Sequence, residues 1–243
     1  MDPSIASYFL GTPCTTAIPG FCHLKHLRRG EHLYHDGDPF HHLFQVVRGS
    51  FKSLSSTSTG IEQILDFYIS GDFMGMDAIS GDYYPSTAIA LEDSEVAVIF
   101  YSGLNELCAL HSDVHNNVHI AMSKEIRRKA QITTLLGYTS VEERVAIFLL
   151  DMLERRNRAG RPIAQLPLPM KRHEIASFLG MSGETLSRQF TRLQRLGLIA
   201  TDVNSVQIMN RAALEAVKGA EARFSWAPAA ASHRAAPQAI PVV

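Results

Sequence analysis

The stretch 171–199, KRHEIASFLGMSGETLSRQFTRLQRLGLI, decides the fold, because it reads as two short helices meeting at a tight turn. In the first helix, Ile175, Ala176, Phe178 and Leu179 form an apolar stripe, and Lys171, Arg172 and Glu174 are expected to stay polar. Gly180 ends this helix, and Met181 and Ser182 make the turn. Ser182 is an N-cap candidate whose hydroxyl can accept a free backbone N–H. Glu184 follows in the first turn, where the helix dipole favours an acid. The second helix is expected from Gly183 to Leu196. Leu186, Phe190, Leu193 and Leu196 recur in it at spacings of three and four, so that face belongs against a core. Glu184, Ser187, Arg188 and Gln189 are left pointing largely outward.

That outward set suits the reading of base edges. Arginine can donate two hydrogen bonds to guanine O6 and N7, and glutamate can accept from cytosine N4, each good pair giving roughly 1–3 kcal/mol of discrimination. The plainer alternative is an exposed helical ion pair between Glu184 and Arg188, worth about 0.5 kcal/mol and silent about partners. The segment after the second helix favours base reading. Leu198 to Ala200 and Val206 to Met209 are short apolar runs joined by Asp202, Asn204 and Ser205, a hairpin signal. Two helices, a turn and a hairpin predict a winged helix-turn-helix, with double-stranded DNA as the partner. Around the base-reading trio of Glu184, Ser187 and Arg188, the groups expected on the DNA backbone are Lys171, Arg172, Ser182, Thr185, Gln189 and Arg192.

The net charge of −1 conceals a strong asymmetry. Residues 1–110 hold 5 Lys/Arg and 13 Asp/Glu, whereas residues 155–211 hold 10 Lys/Arg and 3 Asp/Glu. One end repels phosphate and the other attracts it, as expected of a sensory domain joined to a DNA-binding one. No apolar run is long enough to span a bilayer and no secretion signal opens the chain, so a cytoplasmic location without a membrane partner is expected. Three cysteines, Cys14, Cys22 and Cys108, give no disulfide framework.

Taken in order, 1–23 reads as a loosely ordered arm broken by Pro3, Pro13 and Pro19. From 24 to 104, short apolar segments alternate with Gly and Asp turns: HLY at 32–34, LFQVV at 43–47, SFKSL at 50–54, QILDFYI at 63–69, STAIAL at 86–91 and EVAVIFY at 95–101. This spacing predicts an antiparallel β-roll. Over 105–137 the period changes to that of a long helix. Val114, Val118, Met122 and Ile126 step by four, followed by Ile132, Leu135 and Leu136, a seam expected either to meet a second copy of the chain or to pack on the chain's own roll. Of these, Val118, Met122, Ile126, Ile132 and Leu136 are the dimerisation candidates. Ser140 and Glu143 form a capping box that opens the last unit, 138–218, and 219–243 is an Ala/Pro-rich tail expected to be disordered. The fold class is α+β: antiparallel roll, long dimerisation helix, C-terminal winged helix.

Roll, long helix, capped helix and winged helix in this order resemble the CRP/FNR superfamily of bacterial transcription regulators, over roughly 25–218. The likeness is closest to the FNR branch. It rests on Gly30, Gly37-Asp38, Arg48-Gly49, Ile64 to Phe67, GDFMGMDAI at 71–79, HEIASFLG at 173–180 and Glu184-Thr185-x-Ser187-Arg188. The resemblance implies a cyclic-nucleotide-binding-like roll and a homodimer on a two-fold symmetric TTGAT-type operator, with Glu184, Ser187 and Arg188 on the bases. It also implies contact with RNA polymerase, with the turn from Ser80 to Pro85 a candidate. Cyclic-nucleotide members hold the ligand's phosphate with a Gly-Glu and an Arg-Ser pair. Here Gly71-Asp72 and Pro85-Ser86-Thr87 stand at those places with no arginine, so cAMP is not expected. Oxygen-sensing members hold an iron–sulfur cluster on four cysteines. This chain has three and carries Ala97 where the fourth would stand, so an FNR-type cluster is not expected either.

The remaining sensing candidates are Cys14 and Cys22 as a redox thiol pair, against incidental free thiols, and His111, His115 and His119 at the start of the long helix. Two histidines on one helix face can hold a transition metal, but no further ligand closes the set, and solvated surface histidines also explain the pattern. Three functions compete on these residues: a transcription regulator signalled by oxygen or redox state, a ligand-, metal- or haem-sensing regulator of the same fold, and an enzyme. The last has no nucleophile–base–orienter set to start from.

Overall fold

Alternating side chains in the first half of the chain close two sheets face to face in a computed structural model that describes residues 8–9, 12–13, 22–56, 60–158 and 165–217. Strands β1 (Tyr8–Phe9) and β2 (Thr12–Pro13) pair as a minimal hairpin. They are followed by β3 (Cys22–Leu27), β4 (His32–Tyr34), β5 (His42–Arg48), β6 (Ser50–Ser56), β7 (Glu62–Ile69), β8 (Phe73–Met74), β9 (Thr87–Ala90) and β10 (Ser94–Phe100). One sheet has the order β3-β10-β5-β8 and the other β4-β9-β6-β7, and every pairing is antiparallel. Between them lies a core that includes Leu33, Phe44, Val46, Phe51, Met74, Val96 and Val98. The β5–β6 corner requires glycine: Gly49 has φ 90°, and a Cβ there would lie 2.1 Å from Ser94 Oγ.

A β-bulge in β7 gives the roll a second apolar face. Ser53 pairs with Asp66 but Leu54 pairs with Ile64, which leaves Leu65 as the extra residue. The shift places Leu54, Ile64, Phe67 and Ile69 in the core shared with the C-terminal helices, while Tyr68 stays inside the roll. Two departures from expectation arise here. Strand β3 begins at Cys22, inside the segment expected to be a loose arm, because its whole length pairs with β10. The long helix is two: α1 (Tyr101–Leu110) and α2 (Ser112–Tyr138), separated by His111 in extended conformation.

Helix α3 (Val141–Arg158) starts at the expected reciprocal cap, Ser140 N–H donating to Glu143 Oε2 at 2.7 Å and Glu143 N–H to Ser140 Oγ at 3.3 Å. Then come β11 (Leu166–Pro167), α4 (Arg172–Phe178), α5 (Gly183–Arg195), β12 (Ile199–Thr201), β13 (Ser205–Ile208) and α6 (Arg211–Val217). The wing has three strands in the order β11-β13-β12, the first recruited from the Pro-rich lead-in. The tail expected at 219–243 lies outside the described residues. No helix among the described residues is long and apolar enough to cross a membrane.

Ionic contacts fasten α2 and α3 to the roll. Asp66 is fully buried; it is ion-paired with Arg128 and, at 2.8 Å, with Lys129, and its Oδ1 accepts the Phe67 N–H. Burial alone would raise its pKa, but Arg128, Lys129 and Arg155 outweigh that and hold it below the ordinary carboxylate value. Its stabilising contribution is therefore present above the unfolded-state pKa and is lost as pH falls through the lower folded one. Arg155 of α3 pairs with Asp72 of the roll and, at 3.3 Å, with Asp151. Removing one partner of a buried pair strands the other charge. Asp66→Ala is therefore expected to lower unfolding stability by about 3–5 kcal/mol in urea titration at neutral pH; a loss below about 1 kcal/mol would show the cluster to be marginal.

Candidate nucleic-acid interface

Gly180, with φ 61°, closes α4 and lets the chain turn into α5. Ser182 caps α5 as its sequence position implies: its Oγ accepts the Thr185 N–H at 3.1 Å, and the two hydroxyls lie 2.8 Å apart. Leu186, Phe190 and Leu193 are buried. Leu196 is not: it falls at the C-cap, where the helical period ends, and stays 56% exposed. On the opposite face Glu184 and Arg188 are 74% and 76% exposed and joined at 2.6 Å one turn apart. Ser187 is also exposed, its hydroxyl donating to Gly183 O at 2.9 Å. The pair holds itself extended into solvent, and an exposed pair of this kind separates readily.

The groups expected on the DNA backbone divide in two. Lys171, Ser182 and Arg192 are exposed, and Arg192 meets Glu142 of α3 at 3.1 Å. Thr185 is half-buried beside its cap. Arg172 is not a free cation: its guanidinium lies over the Phe190 ring at 4.0 Å, and burial lowers its pKa. Gln189 is likewise half-buried, with Oε1 shielded from solvent. Glu174, expected on the polar side, is buried, because its Oε1 accepts from Lys52 Nζ of the roll at 2.5 Å and its Oε2 caps Lys171 N–H at 2.6 Å. Neighbouring Ser177 takes the Ile64 N–H on its Oγ at 3.1 Å and Gln63 Nε2 on its carbonyl at 2.8 Å. Helix α4 thus lies against β7 of its own roll, and α5 faces away.

Two residues not singled out from sequence set this geometry. Arg144 donates to Leu136 O at 2.8 Å, Thr139 O at 3.2 Å and Leu179 O at 3.1 Å, satisfying the carbonyl ends of α2 and α4 together. Gln194 Nε2 donates to Thr201 Oγ1 at 2.7 Å and joins α5 to the wing. The only sequence signal for Arg144 is its place beside the Ser140–Glu143 cap.

The long-helix seam splits between partners. Val114 and Val118 pack on the roll and Ile132 and Leu136 on the C-terminal core, Val118 and Leu136 only half-buried; Ile126 remains 69% exposed and Met122 half-exposed. His115 and His119 stack edge to face at 4.3 Å, and His111 sits at the helix break. Among the described residues no three His, Cys, Asp or Glu side chains are grouped to hold a metal. Cys14 lies outside the described residues; Cys22 opens β3 and is disulfide-bonded, against the expectation of free thiols without a disulfide; Cys108 is a free thiol whose pKa burial raises.

The cyclic nucleotide-binding domain model matches residues 24–111, and the Crp-like helix-turn-helix domain model matches 143–217. The transcriptional activator protein FnrA of Stutzerimonas stutzeri is 36% identical over 193 residues, 79% of each chain. The chain belongs to the CRP/FNR family of transcription regulators. The fumarate and nitrate reduction regulatory protein of Escherichia coli (strain K12) is 33% identical over 195 residues, 80% of this chain and 78% of that one. Among solved structures, FixK2 from Bradyrhizobium japonicum superposes with a TM-score of 0.74 at 29% identity, covering 83% of this chain and 99% of that one. A CRP/FNR regulator is a DNA-binding protein, and its helix-turn-helix is the α4–α5 unit described above. Because Ser182 holds the first turn of α5, Ser182→Ala is expected to cost about 1 kcal/mol of stability in chemical denaturation, and Ser182→Gly only a few tenths.

Proposed function

We propose that this regulator acts as a homodimer on a TTGAT-like palindrome, reading bases with Glu184, Ser187 and Arg188 and holding the DNA backbone with Lys171, Ser182, Thr185, Gln189 and Arg192. The single observation that carries the reading is the exposed Glu184–Arg188 pair on α5, the second helix of the helix-turn-helix. Arg188 presents the bidentate donor that guanine requires, and Glu184 the acceptor that cytosine N4 requires. By analogy with the relatives named activators, it recruits RNA polymerase and activates transcription. A gel-shift tests this. The full chain is expected to bind a TTGAT palindrome in preference to a scrambled site, and equal binding to both would remove the specificity. Arg188→Ala should weaken the specific complex by about 1–3 kcal/mol and relax base choice, whereas Lys171→Ala should weaken all sequences alike and lower the salt slope by about one.

The two-fold partner is assigned to the outer face of α2, where Ile126 remains exposed and Met122 half-exposed after the rest of the seam has packed on its own chain. Ile126→Glu is expected to shift sedimentation toward monomer and to weaken palindrome binding. An unchanged dimer would move the interface elsewhere.

Two kinds of signal fit the chain. An oxygen or redox response would rest on Cys14 and Cys22. A small-molecule response would rest on a cleft between the roll and helices α2 and α3.

A further inference from the structure

The face of α2 assigned to a second copy carries more than apolar residues. At about 100° per residue, His115, His119, Met122 and Ile126 fall within an arc of roughly 60°, and their steps of four, three and four are those of a two-stranded seam. His115, His119 and Ile126 are exposed and Met122 half-exposed, whereas Val114 and Ile132, on another side of the helix, are buried in their own chain.

The two imidazoles lie one turn apart, with ring centroids 4.3 Å from each other. Ser112, Asn116 and Ser123 beside them are uncharged, and the first basic residue of α2 is Lys124. Two histidines at i and i+4 on one helix face are a bidentate donor set for a divalent transition ion. One chain stops at two donors: His111 has extended backbone outside the helix, and among the described residues no third His, Cys, Asp or Glu joins the pair to hold a metal.

A second copy supplies the rest, a step that rests on the homodimer proposed above. Two winged units that share one palindrome lie at the same end of the dimer. The two α2 helices then run in the same direction, and each residue of the stripe faces its own equivalent. Four imidazoles converge in two adjacent layers, about 6 Å apart along the helices. We propose that the dimer binds one zinc-class divalent ion between His115 and His119 of each copy. Four nitrogen donors suit tetrahedral Zn²⁺ and leave no open position, so the ion is structural and cross-links the copies next to Met122 and Ile126. Because the complete donor set exists only in the dimer, the ion draws monomers into that form.

The untagged full chain, freed of metal by a chelator, is titrated with Co²⁺, which reports tetrahedral ligation by strong visible absorbance, and Zn²⁺ then displaces it. Absorbance is expected to saturate at one ion per two chains. In sedimentation, free Zn²⁺ at about ten times the site's Kd should lower the dimer dissociation constant about tenfold. His115→Gln/His119→Gln, both at exposed positions, should keep the melting temperature and the metal-free dimer and lose both responses. Saturation at one ion per chain, only the weak absorbance of six-coordinate Co²⁺, or unchanged responses in the folded double variant would overturn the site. Ile126→Glu separates the site from the dimer reading beneath it. A variant made monomeric should lose the absorbance, and keeping it would place the ion within one chain and overturn the proposal. A dimer that Ile126→Glu breaks but that takes up no Co²⁺ overturns the metal site alone, whereas a dimer that Ile126→Glu leaves intact overturns both.

Discussion

A carboxylate with no access to water cannot stay ionised unless cations come to it, and Asp66 is such a carboxylate. Arg128 and Lys129 both come from α2, so the position of that helix along the roll is fixed by charge as well as by packing. A shift of α2 by one residue would turn both cations about 100° away and leave Asp66 stranded. The Arg155–Asp72 pair repeats the device one helix later, fastening α3 to the turn beside β8. Roll, α2 and α3 are thereby held in one mutual arrangement, and the winged unit takes its orientation from α3.

Within that arrangement the first helix of the DNA-binding unit is used up by its own chain. Glu174, Ser177 and the apolar side of α4 are committed to β7 and to Lys52. Arg172, a cation of the kind that holds phosphate, instead covers Phe190. What remains free is the outward face of α5, together with Lys171 at the entrance to α4. The proposed base reading therefore rests on one helix, and the roll bears directly on how that helix is presented. Displacing α4 from β7 would require the buried Lys52–Glu174 pair to break, which couples the position of the reading helix to the roll.

How much of this is legible in the sequence depends on the range of the forces involved. The turn at Gly180, the Ser182 cap, the Ser140–Glu143 box and the spacing of Leu186, Phe190 and Leu193 are local, and the structure places them where the residues imply. Leu196 at the C-cap and the helix break at His111 are local misreadings; the others involve partners distant in the chain. Glu174 reads as a polar surface residue because Lys52 is far away in sequence. Val118 and Ile132 read as one seam because periodicity gives a direction but not an occupant. The bulge at Leu65, which opens a second apolar face on β7, leaves only a faint break in alternation. The exposure of Glu184, Ser187 and Arg188 is legible because they lie on a helix face with no tertiary partner to alter it.

The same periodicity explains how α2 can serve two sides at once. At about 100° per residue, Ile126 and Lys124 point roughly 200° apart, and Met122 lies close to Ile126 in direction. Arg128, Asn117 and Ala121 lie on the Lys124 side, along the cleft, while Met122 and Ile126 lie on the side assigned to a second copy. Lys129 and Glu125 occupy the flank between and turn toward Asp66 and the roll. The face proposed for a second copy and the face along the cleft are therefore different sides of one rod, whose position the Asp66 cluster fixes. Any change in that position reaches α3 and the end of α4 through Arg144, which donates to the carbonyls of Leu136 and Leu179. Helix α2 is in this sense the mechanical axis of the molecule, and the contacts at its two ends decide how the reading helix is held.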